Sequence, residues 1–157
     1  MENYSYILDN PSLDFKKNAK KIEEILSNEI LVKVDYCGIC HSDLHMALND
    51  WGMTTFPFVG GHEVVGKIAE IGDKVKHLKV GDVIGIGWQS DSCNSCEMCA
   101  SDNDNLCSSS TQTIVGRDGG FANYIKVDSS YAFKIPEALK PEIAAPLMCA
   151  GITVYSP

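Results

Sequence analysis

Apolar and polar positions alternate with period two from Ile30 to Tyr36, where Ile30, Val32, Val34 and Tyr36 interleave with Leu31, Lys33 and Asp35. This pattern predicts a strand that runs directly into Cys37-Gly38-Ile39-Cys40-His41-Ser42-Asp43-Leu44-His45. Further strands are predicted over Glu63–Ile71, Val80–Trp88 and Ala122–Val127, with breaks at Gly72-Asp73, Gly81-Asp82 and Gly119-Gly120. The run from Lys16 to Leu26 favours a short helix, ended by Ser27-Asn28. Pro136 and Pro141 punctuate the entry into an apolar segment, Glu142 to Tyr155, expected to be helical in its first part with Pro146 in an early turn. No internal repeat is visible. These elements predict a mainly β (α+β) domain, a compact barrel or sandwich.

Composition narrows the functional classes. The chain has 157 residues and a formal net charge of -8, with 13 basic against 21 acidic side chains, which argues against nucleic acid and against an anionic membrane as partners. The first residues carry no basic segment followed by an apolar run, and no stretch approaches 18 consecutive apolar residues, so a cytoplasmic location is expected. Seven cysteines in that setting predict reduced thiols and metal binding, and an odd count suits a complete disulfide framework poorly.

The stretch Cys37 to His45 concentrates thiol, imidazole, hydroxyl and carboxylate groups beyond what a core needs. Gly61-His62-Glu63 adds a second candidate ligand beside a carboxylate, and Cys149 offers a candidate third. Three such donors with one open position would form a catalytic zinc site. Separately, Cys93, Cys96, Cys99 and Cys107 follow the spacing C-x2-C-x2-C-x7-C. Four thiolates on one loop suit a closed, structural zinc ion. An iron–sulfur cluster and unliganded or disulfide-linked cysteines are the competing readings; the long last gap and the absence of proline after Cys107 depart from the bacterial ferredoxin pattern.

With Cys40, Gly61-His62-Glu63, the four-cysteine lobe and Pro146-Leu147-Met148-Cys149-Ala150-Gly151-Ile152-Thr153-Val154-Tyr155 in this order, the chain resembles the zinc-dependent medium-chain alcohol dehydrogenases. Within them it is most similar to the branch of cinnamyl alcohol dehydrogenases and NADPH-dependent aldehyde reductases, over about Ile30 to Pro157. The resemblance implies a GroES-like catalytic domain across residues 1–157. It implies Cys40, His62 and Cys149 as ligands of a catalytic zinc, Cys93, Cys96, Cys99 and Cys107 as ligands of a structural zinc, and Cys37 as a buried strand thiol. By the same resemblance Ser42 would hydrogen-bond the substrate oxygen, and His45 would end a proton relay. Asp43 would orient His62, and Glu63 would approach the zinc during ligand exchange. His41 would face the cofactor pyrophosphate, while Trp88 and, less directly, Trp51 would wall the substrate pocket. The implied cofactors are two Zn2+ ions and NADP(H), and the implied substrates are primary alcohols and their aldehydes.

Simpler roles exist for several of these residues. Ser42 and Asp43 also suit a helix cap, His77 suits a plain surface position, and both tryptophans suit core packing. No G-x-G-x-x-G occurs in the sequence; Gly85-Ile86-Gly87-Trp88-Gln89-Ser90 fails at its last position. The expectation is therefore a catalytic domain without its Rossmann partner or C-terminal return segment, with little hydride transfer on its own and an uncovered apolar surface that could pair copies of the chain. The alternative is a zinc-stabilised GroES-like binding module without hydride transfer.

Overall fold

A computed structural model describes residues 2–156, so Met1 and Pro157, the ends of the expected 1–157 domain, lie outside the described residues. The main sheet has five antiparallel strands in the order β8-β3-β4-β5-β9: Tyr124–Asp128, Glu29–Gly38, Glu63–Ile71, Val83–Ile86 and Ala132–Lys134. It curls into part of a barrel. The predicted strands β3 and β4 are present, β4 with the expected bounds. The strand expected over Val80–Trp88 narrows to Val83–Ile86, because the chain turns at Gly81 with φ of 90°.

Where helix was expected from Lys16, the structure has strand β2, Lys16–Lys21, paired antiparallel with β1, Glu2–Ile7. Lysine-rich helical propensity is a weak preference that a paired neighbour overrides. The hairpin is held by groups far apart in sequence. Asn3 donates from Nδ2 to the Tyr124 carbonyl at 2.8 Å and accepts from the Tyr124 amide at 2.9 Å, so its side chain imitates a strand rung. Lys20 pairs with Asp118, and the Lys17 ammonium lies 4.9 Å from the Tyr4 ring centroid.

Three apolar clusters position the rest. Ile30, Val32, Val64, Ile68, Ile84 and Ile86 fill one side of the sheet, each contributing roughly 1.5–3 kcal/mol by leaving water. Leu8, Met46, Ala47, Phe58 and Ile114 anchor helix α1, His41–Leu48. Val65 packs with Ala144 and Ala145 of helix α3, Pro141–Pro146. Val64 and Val65 thus bury opposite faces of β4, and its first residue, Glu63, is itself buried.

Pro141 begins α3, as a residue lacking a useful N–H should. Pro146 closes α3 rather than occupying an early turn. It can give no N–H to the ladder, and the backbone then widens into a π-turn at Leu147–Gly151 before a last helical turn at Ile152–Tyr155. This final segment leaves Ile143, Leu147, Ile152, Val154 and Tyr155 exposed, the last at 86%.

Candidate metal and substrate site

Strand β3 delivers Cys40 to the start of α1, where it is the N-cap residue, with φ of -101° and ψ of 157°. Asp43, three residues on and only 4% exposed, makes three contacts. Its Oδ2 accepts from the Cys40 amide at 2.9 Å, and its Oδ1 accepts from the Gly61 amide at 2.8 Å while lying 3.1 Å from His62 Nδ1. Helix capping and imidazole orientation are therefore done by one carboxylate. Gly61 is itself required: its φ is 95°, and a Cβ there would lie 2.7 Å from the Phe121 amide nitrogen and 2.8 Å from Cys37 Sγ.

His62 is fully buried, and its Nε2 has no hydrogen-bond partner. A buried, unsatisfied nitrogen costs about 1–3 kcal/mol unless a ligand occupies it. Donor atoms of Cys40, His62, Glu63 and Cys149 all lie within 4.8 Å of one another, with Cys40 Sγ and Cys149 Sγ 3.9 Å apart. Two sulfurs on one tetrahedral zinc at ~2.3 Å would be about 3.8 Å apart. The residues present fit the metal.

Electrostatics agree with the geometry. Burial pushes the Cys149 thiol up to about 12, and neighbouring Cys40 adds to it. Burial also raises Cys40, but hydrogen bonds from the Ser42 amide and hydroxyl outweigh it and leave that thiol below its ordinary value. Burial raises the Glu63 carboxyl. Burial disfavours the His62 cation, yet Asp43 outweighs it and draws the imidazole upward. Two thiols and a carboxyl sharing one buried place resist ionising together. A cation among them removes that resistance.

The second group forms as a separate lobe. Cys93, Cys96, Cys99 and Cys107 converge within 4.8 Å, around a short helix α2, Glu97–Ala100, and a 3-10 turn at Asp104–Leu106. The Sγ separations are 3.9 Å for Cys93–Cys99 and 3.5 Å for Cys96–Cys99. These suit one tetrahedral ion and exceed a disulfide bond of ~2.05 Å. All seven cysteines are free thiols. Cys37 joins neither group: it pairs with Val64 in the ladder, packs against the sheet core and has its thiol pushed up to about 12, first by burial.

Around the open site the aromatic residues form a continuous run. Centroid separations are 5.0 Å for His62–Trp88, 6.3 Å for Trp88–Trp51, 5.0 Å for Trp51–His45 and 4.7 Å for His45–His41. Trp88 also packs on the cluster holding α1 and walls a cavity of about 880 Å3 together with Cys149, Leu147, Met148, Ile152 and Tyr131. Trp51, 47% exposed, belongs to the aromatic run rather than to that wall. Ser42 Oγ is 3.7 Å from Cys40 Sγ. His77 is exposed, its Nε2 3.1 Å from the Ser129 carbonyl oxygen.

Two participants escape motif reading. Asp50 Oδ2 lies 2.8 Å from His45 Nδ1, a pairing set by the turn after α1. Gly38 faces Glu63 on the last rung of β3 and β4, and a Cβ there would lie 2.0 Å from Glu63 Oε2 and 3.0 Å from its Cβ. Gly38→Ala is expected to fold, since a flexible carboxylate can yield, but to push Glu63 out of the donor group. Zinc retention against a chelator should weaken about tenfold, and the effect should vanish when Glu63→Gln is already present.

A partial-barrel sheet beside one four-thiol group and one thiol–imidazole group is the architecture that the comparisons match. The chain belongs to the alcohol dehydrogenase GroES-like domain family, which matches residues 27–137. It is 46% identical over 131 residues to an aldehyde reductase from Synechocystis sp., covering 83% of this chain and 39% of that protein. Among solved structures, a cinnamyl alcohol dehydrogenase from Sorghum bicolor superposes with a TM-score of 0.93 at 34% identity, covering all of this chain and 47% of that one. A CAD from Helicobacter pylori, solved in complex with NADP(H), gives 0.94 at 32% identity, covering all of this chain and 48% of that one. The chain spans about 40% of the length of the curated relatives it matches.

Proposed function

We propose that residues 1–157 are the metal- and substrate-binding domain of an NADP(H)-dependent oxidoreductase that interconverts primary alcohols and aldehydes. The observation that carries this reading is the unpartnered His62 Nε2, set among two thiols and a carboxylate, with one of those thiols, Cys149, also lining a cavity walled by Trp88. A closed structural site would leave no such opening.

In this reading Cys40, His62 and Cys149 hold a catalytic zinc, and Cys93, Cys96, Cys99 and Cys107 hold a structural one. The catalytic ion supplies a Lewis acid for the alcohol or aldehyde oxygen. Asp43 fixes the His62 ring through Nδ1, keeping Nε2 aimed at the donor group. Ser42 Oγ donates to or accepts from the substrate oxygen, and His45, steadied by Asp50, passes the proton between that hydroxyl and solvent. Glu63 serves as an exchangeable fourth donor, His41 faces the cofactor phosphates, and Trp88 walls the substrate cavity, with Trp51 packed edge-on to it outside that wall. Reduced thiols suit a cytoplasmic protein, and no described helix is long and apolar enough to cross a membrane.

Native mass spectrometry of the purified protein, followed by an NADPH-oxidation assay with an aromatic aldehyde, tests the reading. Two zinc ions per chain are expected, with loss of one on Cys40→Ser. The 157-residue chain alone should oxidise NADPH little, because its sequence holds no G-x-G-x-x-G. One zinc in the parent would instead favour the binding-module reading, in which exposed Ile152, Val154 and Tyr155 pair copies of the chain.

A further inference from the structure

Beyond the two thiol groups, one further pair of metal-competent side chains shares a single element. His41 and His45 are four residues apart on α1 and therefore lie on one face of the helix. Their ring centroids are 4.7 Å apart; His41 is exposed and His45 half-buried. Two imidazoles at this spacing form the chelating half of helical zinc sites.

The second ring already has a carboxylate partner at its other nitrogen. Asp50 Oδ2 engages His45 Nδ1 at 2.8 Å, the arrangement by which a carboxylate fixes the tautomer and angle of a metal-bound imidazole, leaving Nε2 for the ion. Trp51, stacked on His45 at 5.0 Å and 30°, limits rotation of the same ring. Among the described residues neither nitrogen of His41 has a hydrogen-bond partner. Neither histidine belongs to the two donor groups already described. The net charge of -8 favours a cation at the surface.

We propose that His41 and His45 form a third metal site, a two-imidazole chelate for zinc or another borderline divalent ion such as nickel or copper, with water completing the shell. Asp50 is its positioning residue. On the functional reading given above, an ion held here occupies the imidazole that passes the proton to solvent. Excess zinc would then inhibit turnover in a catalytically competent protein.

The binding claim is tested without turnover. Zinc-replete protein is titrated with additional Zn2+ by calorimetry, and stoichiometry is read by native mass spectrometry. One ion beyond those held by the thiol groups is expected, its affinity falling at least tenfold in His41→Gln and in His45→Gln and partly in Asp50→Asn. His77→Gln should leave it unchanged. Retention of the thiol-held ions in each variant shows that the domain remains folded. Absence of an additional ion in the parent, or its survival in both histidine variants, overturns the proposal. Zinc binding without zinc inhibition in a competent protein would instead fault the proton-relay reading and leave the site standing.

Discussion

Cys107→Ser is expected to release one zinc ion per chain and to unfold residues 89–112 while the five-stranded sheet stays folded. The lobe has almost nothing else to hold it. Its strands β6, Gln89–Asp91, and β7, Thr111–Gln112, form a two-stranded sheet of their own, and α2 has 4 residues. A helix that short does not persist alone in water. The interior of the lobe is polar: Ser90, Ser92 and Cys107 are buried, and Ser92 Oγ donates to Asp104 at 2.9 Å. Ordering each residue costs about 1–2 kcal/mol, which so few apolar contacts do not offset. A four-thiolate zinc, tying Cys93, Cys96, Cys99 and Cys107 into one unit, is the strongest single interaction available to the lobe.

Hydrogen exchange reads the outcome by segment. Amides of residues 89–112 should lose protection in Cys107→Ser, while β3 and β4 amides keep theirs. Retained protection in the lobe would assign its order to polypeptide contacts such as Ser92–Asp104. The consequence reaches the cavity walled by Trp88 as well, since Asn94, Asp102 and Asp104 of the lobe line it together with Met148 and Ile152. On the proposed function, an ion held by the lobe would thus shape the substrate cavity without touching substrate.

The four-thiol group was legible in the sequence because its ligands are dense in one short stretch, whereas Cys40, His62 and Cys149 stand far apart and were joined as one set by the family resemblance. Strands β3 and β4 were legible because period-two alternation or β-branched density survives where one face or both are buried. Strand β2 was not. Its lysines read as helix, and what makes it a strand is β1, whose own register is tied through the Asn3 side chain to Tyr124. The widened turn bearing Cys149 was likewise hidden, because Pro146 marks a break without saying that the chain continues through it. Gly38 and Asp50 act only through partners that folding brings to them, Glu63 across a rung and His45 across a turn. Cys37 was separated from Cys40 by the family resemblance, and the structure places it against the sheet core and outside both donor groups.

Asp43→Ala is expected to be the most damaging single change outside the metal ligands, because it removes fold and site contacts together. The Cys40 amide loses its helix-capping acceptor, typically worth about 1 kcal/mol. The Gly61 amide is left buried without its partner, at roughly 1–3 kcal/mol. His62 loses the contact that directs Nε2 toward Cys40 and Cys149. A total near 3 kcal/mol would lower Tm by roughly 6–12 °C in a domain of this size, and zinc affinity at the open site should fall about 10–100-fold. Asp43→Asn separates the contributions: its amide oxygen can still accept from one of the two backbone N–H groups, so part of the Tm should return while zinc retention remains impaired. Thermal unfolding and chelator competition on the two variants make the comparison. Equal zinc retention in Asp43→Asn and the parent would mean that the backbone loop, not the Asp43 carboxylate, aims His62.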